Sequence, residues 1–273
     1  MIRSIKHKLA FLLGLVAFSW TLFIPALVSA GVDDFTILEF KADYYLSNAD
    51  KQGEMRIVEN IDLFYTDFNH GILRALPASY KGQPLKLNVN SVSSGSGAPA
   101  QFTTYGDSGN TVLKIGDPNK TITGKQSYTI DYTIQNVIGF YNDHDELYWD
   151  INGDEWRQPF EKVSATIHLP DGVNVSQRAC FAGGRGSTQR ACAISQDNTE
   201  VKSSANRRFQ PYETLTVVLA FPKGYFVAPT ALDWLKDHMS QLLSVIVPPL
   251  IVGFWAYKKW HKHGKDIKGR GIT

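Results

Sequence analysis

The densest group of residues that could do chemistry is an acidic and aromatic stretch at positions 143–156. Its carboxylates are those of Asp143, Asp145, Glu146, Asp150, Asp154 and Glu155, and its rings are those of Tyr148, Trp149 and Trp156. Two carboxyls about 5–10 Å apart, one with a raised pKa, can hydrolyse a glycosidic bond, while exposed aromatic rings anchor binding interfaces. The stretch therefore predicts a binding edge or a glycan-cleaving site. The structural alternative is a solvated acidic hairpin whose aromatic residues are anchored in the core.

Part of this stretch resembles a calcium-binding loop. Asp150, Asn152 and Asp154 alternate, and Glu161 stands at the twelfth place, as in an EF-hand. However, Glu155 occupies the position where the sharp turn of an EF-hand requires glycine, and the flanking segments resemble strands. An irregular cation site on a loop remains open, but an EF-hand is not expected.

Arg74 is a further candidate, since it follows the turn signal Asn69-His70-Gly71. It fits either a contact with a partner molecule or an ion pair at the edge of the core. The candidate binding residues are Asp143, Asp145, Tyr148, Asp150, Asp154, Trp156 and Arg74.

The sequence lacks the motifs of common catalytic centres. Its serines have no G-x-S-x-G or S-x-x-K setting, and there is no phosphate-binding glycine loop and no pair of histidines at zinc-helix spacing. We therefore expect no enzymatic activity, no cofactor and no metal site.

The two cysteines, Cys180 and Cys192, predict a disulfide. Disulfides persist in oxidising compartments, and this one would close a short, glycine-rich loop. A reactive thiol or a metal-binding pair is the alternative, although no histidines cluster nearby to complete a metal site.

The elements that position these residues are predicted to be strands. Apolar and polar residues alternate with period two between positions 35 and 221, and turn signals interrupt the pattern. The clearest segments are 36–46, 55–65, 85–92, 112–115, 127–135, 163–169 and 214–221. This pattern predicts a mainly β fold, an antiparallel β-sandwich, with helix only at the two ends of the chain.

The N-terminal end has the pattern of a signal helix. A basic start precedes apolar residues 9–28 and the small residues Val28-Ser29-Ala30, which predicts a signal peptide at residues 1–30. An uncleaved anchor is the alternative, because about 20 apolar residues suffice to span a bilayer.

The C-terminal end predicts a transmembrane helix at residues 242–257. Trp234 before it and Trp255 and Tyr257 at its end fit interfacial aromatic belts; a buried core helix is the alternative. Lys258, Lys259, Lys262, Lys265, Lys268 and Arg270 follow. By the positive-inside rule these residues place the C-terminus in the cytoplasm.

The charge distribution argues against a nucleic-acid role. Residues 31–237 contain 19 lysines and arginines against 25 aspartates and glutamates, a formal charge of −6. Nucleic-acid binding needs a basic face for phosphates. The basic excess lies instead in the two terminal segments, where it serves topology.

Several motifs in order carry a family resemblance. They are the segments 54–59, 64–77, 128–134 and 146–156, then Ile167-His168-Leu169-Pro170, and Trp260-His-Lys-His-Gly-Lys-Asp266 after the apolar segment. The chain resembles the predicted membrane proteins catalogued as domain of unknown function 2207. That resemblance implies a signal peptide, an extracytoplasmic β-rich domain, a membrane span and a cytoplasmic continuation, and it implies no reaction.

The chain departs from this family at two points. Leu73 stands where the family usually has an aromatic residue, and Ala75 where it usually has an acid. An ion pair of Arg74 within its own motif is therefore not expected. Family members also continue beyond the Gly-Lys-Asp motif, so we expect this chain to be truncated.

These observations predict five segments: a signal peptide (1–30), an extracytoplasmic β-sandwich (31–228), a juxtamembrane helix (229–241), a transmembrane helix (242–257) and a basic cytoplasmic tail (258–273). The expected function is non-enzymatic binding or assembly at the cell envelope, with a protein or a glycan as partner. The alternatives are an envelope glycan hydrolase that uses the hairpin at 143–156 and, if the aromatic residues prove buried, a purely structural member of a membrane complex.

Overall fold

The computed structural model describes residues 34–49, 52–80 and 82–264. The predicted signal peptide at residues 1–30 lies outside the described residues. So does the end of the basic tail after residue 264.

The described residues form sixteen strands and two helices. The strands are β1 (Phe35–Ser47), β2 (Glu54–Asn69), β3 (Gly71–Pro77), β4 (Ser79–Tyr80), β5 (Gln83–Pro84), β6 (Lys86–Ser93), β7 (Phe102–Asp107), β8 (Asn110–Gly116), β9 (Ile122–Gln135), β10 (Ile138–Phe140), β11 (Asp145–Asp150), β12 (Val163–His168), β13 (Gln177–Gly183), β14 (Cys192–Asp197), β15 (Glu200–Ala205) and β16 (Thr214–Phe221). The helices are α1 (Ala231–Asp237) and α2 (Met239–His263). The predicted mainly β fold with one C-terminal apolar helix is confirmed.

The large sheet has seven strands in the order β14-β15-β12-β1-β2-β9-β6. Its pairs are antiparallel except for β1 and β12, which run parallel from Phe40 beside Val163 to Tyr45 beside His168. The sequence predicted antiparallel pairing throughout. Period-two alternation reports which face of a strand is buried, but not the direction of its neighbour.

Three smaller sheets complete the fold. The second sheet has the order β10-β11-β16-β13, the three-stranded sheet has the order β3-β8-β7, and β4 pairs with β5. One hydrophobic cluster joins the buried faces of the large, second and three-stranded sheets. Tyr44 of β1, Leu219 of β16 and Leu113 of β8 are all fully buried in it. This shared core is what fixes the loops between the sheets.

The C-terminal region contains a short helix followed by a long one. Thr230 caps α1: its hydroxyl accepts a hydrogen bond from the backbone of Asp233, whose carboxylate accepts one from the Thr230 backbone. Helix α2 has 25 residues, includes Pro248 and Pro249, and has no buried residue. It is the one helix among the described residues that is long and apolar enough to cross a membrane. At 1.5 Å per residue it is about 37 Å long, which exceeds the ~30 Å hydrocarbon core of a bilayer.

Candidate functional site

Arg74 of β3 forms a buried ion pair with Glu59 of β2, a strand of the large sheet. Its Nε donates to Glu59 Oε2 over 2.8 Å and its second terminal nitrogen donates to Oε1 over 2.6 Å. The side chains of Arg74 and Glu59 are 3% and 0% exposed. Tyr132 also donates its hydroxyl hydrogen to Glu59 Oε1, over 2.6 Å. Of the two alternatives for Arg74, the structure has the ion pair, with a carboxylate outside the motif.

The surroundings of Arg74 keep it charged. Burial lowers the pKa of its guanidinium, but the attraction of Glu59 and the hydrogen bonds with it outweigh burial, so the pKa of Arg74 is raised. The guanidinium lies 5.8 Å from the ring centroids of both Phe40 and Trp156. Its remaining terminal nitrogen donates to the Ala75 carbonyl oxygen over 2.9 Å. Arg74 is thus a fixed cation between the core and the surface.

A cavity of about 250 Å³ opens above Arg74, and we call it the acidic cleft. It lies between the end of β3 with β4 on one side and the end of β11 with its following loop on the other. Its lining includes Arg74, Ala75, Pro77, Tyr80, Asn110, Tyr148, Trp149, Asp150, Gly153, Asp154, Glu155 and Arg185. The cleft therefore brings together four of the seven predicted binding residues, namely Arg74, Tyr148, Asp150 and Asp154.

Two carboxylates of the cleft have different environments. Asp150 Oδ1 accepts a hydrogen bond from the Thr216 hydroxyl over 2.6 Å. Burial raises the pKa of Asp150, and the charge of Asp154 adds to that effect. Asp154 accepts a hydrogen bond from Arg185 Nε over 2.9 Å, and the Arg185 side chain is largely exposed. One carboxyl is thus partly desolvated, and the other is tied to a surface cation.

Two tyrosine rings form an aromatic wall of the cleft. Tyr80 of β4 and Tyr148 of β11 are stacked, with centroids 6.4 Å apart and planes 17° apart. Burial raises the pKa of both phenols, and nearby carboxylates, including Asp150, raise them further. Both phenols therefore stay protonated at neutral pH.

The other three predicted residues lie outside this cavity's lining. Asp143 is exposed and bonds to His144 over 2.8 Å. Asp145 is 1% exposed and accepts from the Lys223 ammonium over 2.7 Å. Trp156 is 4% exposed, and its indole donates to the Asn152 carbonyl oxygen over 2.8 Å.

The expectation of an exposed aromatic edge is wrong for the two tryptophans. Trp149 and Trp156 are 6% and 4% exposed, because alternation along β11 turns Trp149 toward the core and the chain then folds Trp156 against Phe160. Tyr148, on the opposite face of β11 from Trp149, is partly exposed.

Residues of the calcium-loop pattern make structural hydrogen bonds and an ion pair instead. Asn152 is fully buried, and its side-chain oxygen accepts from the Leu215 backbone over 2.9 Å while its amide nitrogen donates to the Glu213 carbonyl oxygen over 2.9 Å. Glu161 pairs with Arg208 at 3.1 Å. Within the parts of the chain that the structure describes, no group of three histidine, cysteine or acidic residues could hold a metal ion.

A second cavity of about 460 Å³ continues from the cleft, and we call it the tyrosine groove. Ala75, Asn110 and Glu155 line both cavities. Its floor comes from one face of the three-stranded sheet and its wall from the loop after β11. Its other lining residues include Phe35, Leu73, Tyr105, Asp107, Val112, Trp156, Arg157, Gln158 and Tyr212.

Two exposed tyrosines stand in this groove. Tyr105 is 45% exposed and Tyr212 is 51% exposed. Tyr212 has a positive φ of 65°, which is unusual for a tyrosine, and a hydrogen bond of 2.8 Å from its backbone nitrogen to the Trp156 carbonyl oxygen holds it there. Strained residues of this kind cluster at ligand-contacting sites.

The sequence reasoning missed Tyr80, Arg185, Tyr105 and Tyr212. Arg185 could have been found, because it is a charge displayed on the loop that the predicted disulfide closes. That disulfide, Cys180–Cys192, is present and joins β13 of the second sheet to β14 of the large sheet. The three tyrosines carry no such signal, since only the tertiary fold brings β4, β7 and the 210–213 turn to the cleft.

Comparisons with known proteins identify one family model. The model described as "Predicted membrane protein (DUF2207) N-terminal domain" matches residues 36–221. Comparison with curated proteins finds no match.

Solved structures give only distant likenesses. Native leukotriene A4 hydrolase from Saccharomyces cerevisiae has a TM-score of 0.42 and 10% identity, over 70% of this chain and 30% of that one. The M1 zinc metallopeptidase from Deinococcus radiodurans has a TM-score of 0.37 and 8% identity, over 67% of this chain and 42% of that one. This chain thus matches less than half the length of either protein.

Proposed function

The chain belongs to the family of predicted membrane proteins designated DUF2207, and from that premise we propose that it is a binding module anchored at the cell envelope. In this proposal α2 spans the membrane and the β-domain faces the outside. The domain holds a protein or glycan partner in the acidic cleft and the adjoining tyrosine groove, without catalysis.

The observation that carries the proposal is the chemistry of the cleft. Three carboxylates, those of Asp150, Asp154 and Glu155, line it against one exposed cation, Arg185, which pairs with Asp154. Arg74 is already neutralised by Glu59. Carboxylates accept hydrogen bonds, and the tyrosines offer flat rings with donor hydroxyls. The site therefore suits a ligand rich in hydroxyl or amino groups, and disfavours an anionic polymer.

Two features support the outward orientation. The disulfide between Cys180 and Cys192 fits an oxidising compartment. Helix α2 ends in the basic sequence that contains Lys258, Lys259 and Lys262, which the positive-inside rule assigns to the cytoplasm.

Site-specific photo-crosslinking in the native membrane tests the binding role. A photoreactive phenylalanine analogue replaces Glu155, which is exposed and lines both cavities. The matched control replaces Lys41, an exposed residue on the opposite, solvent face of the large sheet. We expect a defined adduct from position 155 alone. Equal adducts from both positions, or none from position 155, would contradict the proposal.

An envelope glycan hydrolase remains a second candidate because of one observation. Burial raises the pKa of Asp150, and Asp154 lies near enough to contribute, as general acid catalysis by a carboxylate pair requires. If this candidate is correct, the wild type releases reducing ends from wall glycan, and Asp150→Asn and Asp154→Asn each lower that rate by about 10²–10⁴-fold. If the protein only binds, no reducing ends appear and the same variants weaken retention on the glycan.

A further inference from the structure

A third cavity, separate from the tyrosine groove, lies beside the start of α2. Its volume is about 290 Å³, and we call it the amide pocket, because Gln52, Gln83 and Asn136 contribute to its lining. The rings of Tyr80, Phe140 and Tyr141 also line it. The pocket thus combines three carboxamides with three aromatic rings.

The amide pocket is fastened to the residues that begin the apolar helix. Nε2 of His238, the residue immediately before α2, lies 3.1 Å from the carbonyl oxygen of Gly82, the neighbour of Gln83. The Asn136 amide nitrogen donates to the Asp237 carboxylate over 3.5 Å. When α2 lies in a bilayer, the pocket therefore lies at the level of the lipid headgroups, which extend about 5–8 Å beyond each side of the hydrocarbon core.

The polar lining of the pocket leaves an acceptor unused. The Gln83 side-chain oxygen is buried and has no hydrogen-bond partner. An unpaired buried acceptor is costly and marks a place where a donor is missing. Gln52 and Asn136 are each 4% exposed, and both have a positive φ, of 65° and 70°. Backbone bonds from Gln52 to the Val227 oxygen and from Asn136 to the Gly53 oxygen, each 3.0 Å long, fix these two residues.

The aromatic lining favours a cation as that donor. The Lys223 ammonium already lies 5.5 Å from the Phe140 centroid, so this ring is placed to attract positive charge. The Tyr141 hydroxyl donates to the Glu146 carboxylate over 3.2 Å, which brings a negative charge to the same side. Lys223 is 42% exposed, and its ammonium, while it stays paired with the buried Asp145 carboxylate, can still donate to a phosphate outside the pocket.

We infer that the amide pocket binds the ammonium group of a phospholipid headgroup in the membrane that α2 crosses. The ammonium contacts the rings of Phe140 and Tyr141 and donates to the Gln83 oxygen, and the phosphate lies toward Lys223. This lipid contact would fix the height and tilt of the β-domain above the bilayer. The pocket shares Tyr80 alone with the acidic cleft, and the variants below leave Tyr80 unchanged, so either proposal can fail alone.

Native mass spectrometry of the full chain in detergent tests the inference. The probes are dihexanoyl-phosphoethanolamine, dihexanoyl-phosphoglycerol and free phosphoethanolamine. We expect the ethanolamine lipid to bind about tenfold more tightly than the glycerol lipid, since a cation–π contact and one hydrogen bond together have that magnitude. Equal binding of the two lipids would overturn the inference. Free phosphoethanolamine that binds as tightly as its lipid would overturn the assignment to the membrane.

Variants separate the pocket from general lipid association. Gln83→Leu and Tyr141→Leu should each remove the preference for the ethanolamine lipid. Tyr45→Leu, at a tyrosine of similar exposure that lines none of the three cavities, should keep it. Each variant is first checked for an unchanged unfolding midpoint. We expect Tyr141→Leu to pass this check because Tyr141 is 40% exposed. A preference that persists in both pocket variants would place the lipid elsewhere.

Discussion

At the scale of single residues, the cleft depends on one buried charge. Arg74 lies between Glu59 and the cleft, and its guanidinium approaches the loop at Gly153 so closely that an added Cβ there would lie 2.8 Å from it. The ion pair therefore does more than neutralise Glu59. It also supports the turn that presents Asp154 and Glu155.

We predict that Arg74→Met destabilises the protein strongly. Removing one partner of a buried ion pair typically costs about 3–5 kcal/mol, because the other charge stays buried without compensation. Arg56→Met, at a pair with Asp131 whose arginine is 53% exposed, should cost less than about 1 kcal/mol. Guanidinium unfolding of the detergent-solubilised chain measures both. In the double variant Arg74→Met/Glu59→Gln, part of the loss should return; a double variant as unstable as Arg74→Met would contradict this account.

We predict that Asp150→Asn makes the protein more stable than the wild type at neutral pH, but not at acidic pH. Burial raises the pKa of Asp150 in the folded state above its ordinary value of 3.8, so the unfolded chain releases this proton at a lower pH. Ionisation above about pH 4 therefore favours the unfolded state, and asparagine removes that cost while it can still accept from Thr216. Unfolding midpoints at pH 3.5 and pH 7 should show the gain only at pH 7.

Asp143→Asn is the matched control for this pH effect. The hydrogen bond with His144 lowers the pKa of the exposed Asp143 carboxyl, so its stabilising contribution exists above about pH 4 and disappears as the pH falls. The control should therefore lose stability at pH 7, or show no change. Parallel pH profiles for the two variants would refute the assignment to burial.

At the scale of elements, the three-stranded sheet forms the floor of the tyrosine groove. Gly71 of β3 and Gly116 of β8 lie opposite each other with φ values of 143° and 136°. A Cβ on Gly71 would lie 1.9 Å from the backbone oxygen of Ile115. The two strands can approach at this end only because both residues lack a side chain.

We predict that Gly71→Ala weakens this sheet and the groove above it. The strained φ alone costs of the order of 1–3 kcal/mol, and the backbone clash adds to it. Gly106→Ala in β7, where an added Cβ meets nothing within 4 Å, should change stability by less than about 1 kcal/mol. Hydrogen exchange should show lost protection in β3 and β8 for Gly71→Ala only. Equal protection in both variants would mean that the strand pair tolerates the clash.

The same elements show what the sequence could and could not predict. Alternation placed the segments 36–46, 127–135 and 214–221 within β1, β9 and β16, because each has a buried face of β-branched and aromatic residues. It missed β7, since all six of its residues are exposed and no alternation exists to detect. The sequence singled out the acidic stretch as one group. Some of its residues line the cleft, one pairs with Lys223, and others are buried in the core. These different positions depend on contacts with β3, β16 and Lys223, which are remote in sequence.

At the scale of the whole molecule, the three cavities differ in how they are connected to the apolar helix α2. The acidic cleft and tyrosine groove are continuous with each other, while the amide pocket is fastened to the start of α2. Lys86 of the edge strand β6 also pairs with Asp237 of α1 at 2.7 Å. The Lys86–Asp237 pair and the contact between His238 and Gly82 thus join the β-domain to the start of α2.

We predict that the β-domain and the C-terminal end of α2 lie on opposite sides of the membrane. A single cysteine is introduced at Thr199, exposed in the β14–β15 turn, or at His263, exposed at the end of α2, and intact cells are treated with a membrane-impermeant maleimide. Thr199→Cys should label at once, and His263→Cys only after permeabilisation, because lysines flanking the helix end stay in the cytoplasm. Both substitutions keep Lys258, Lys259 and Lys262, so the charges that set the orientation are unchanged. Labelling of His263→Cys in intact cells, with Thr199→Cys protected, would place the β-domain inside the cell and remove the envelope as the source of its partner.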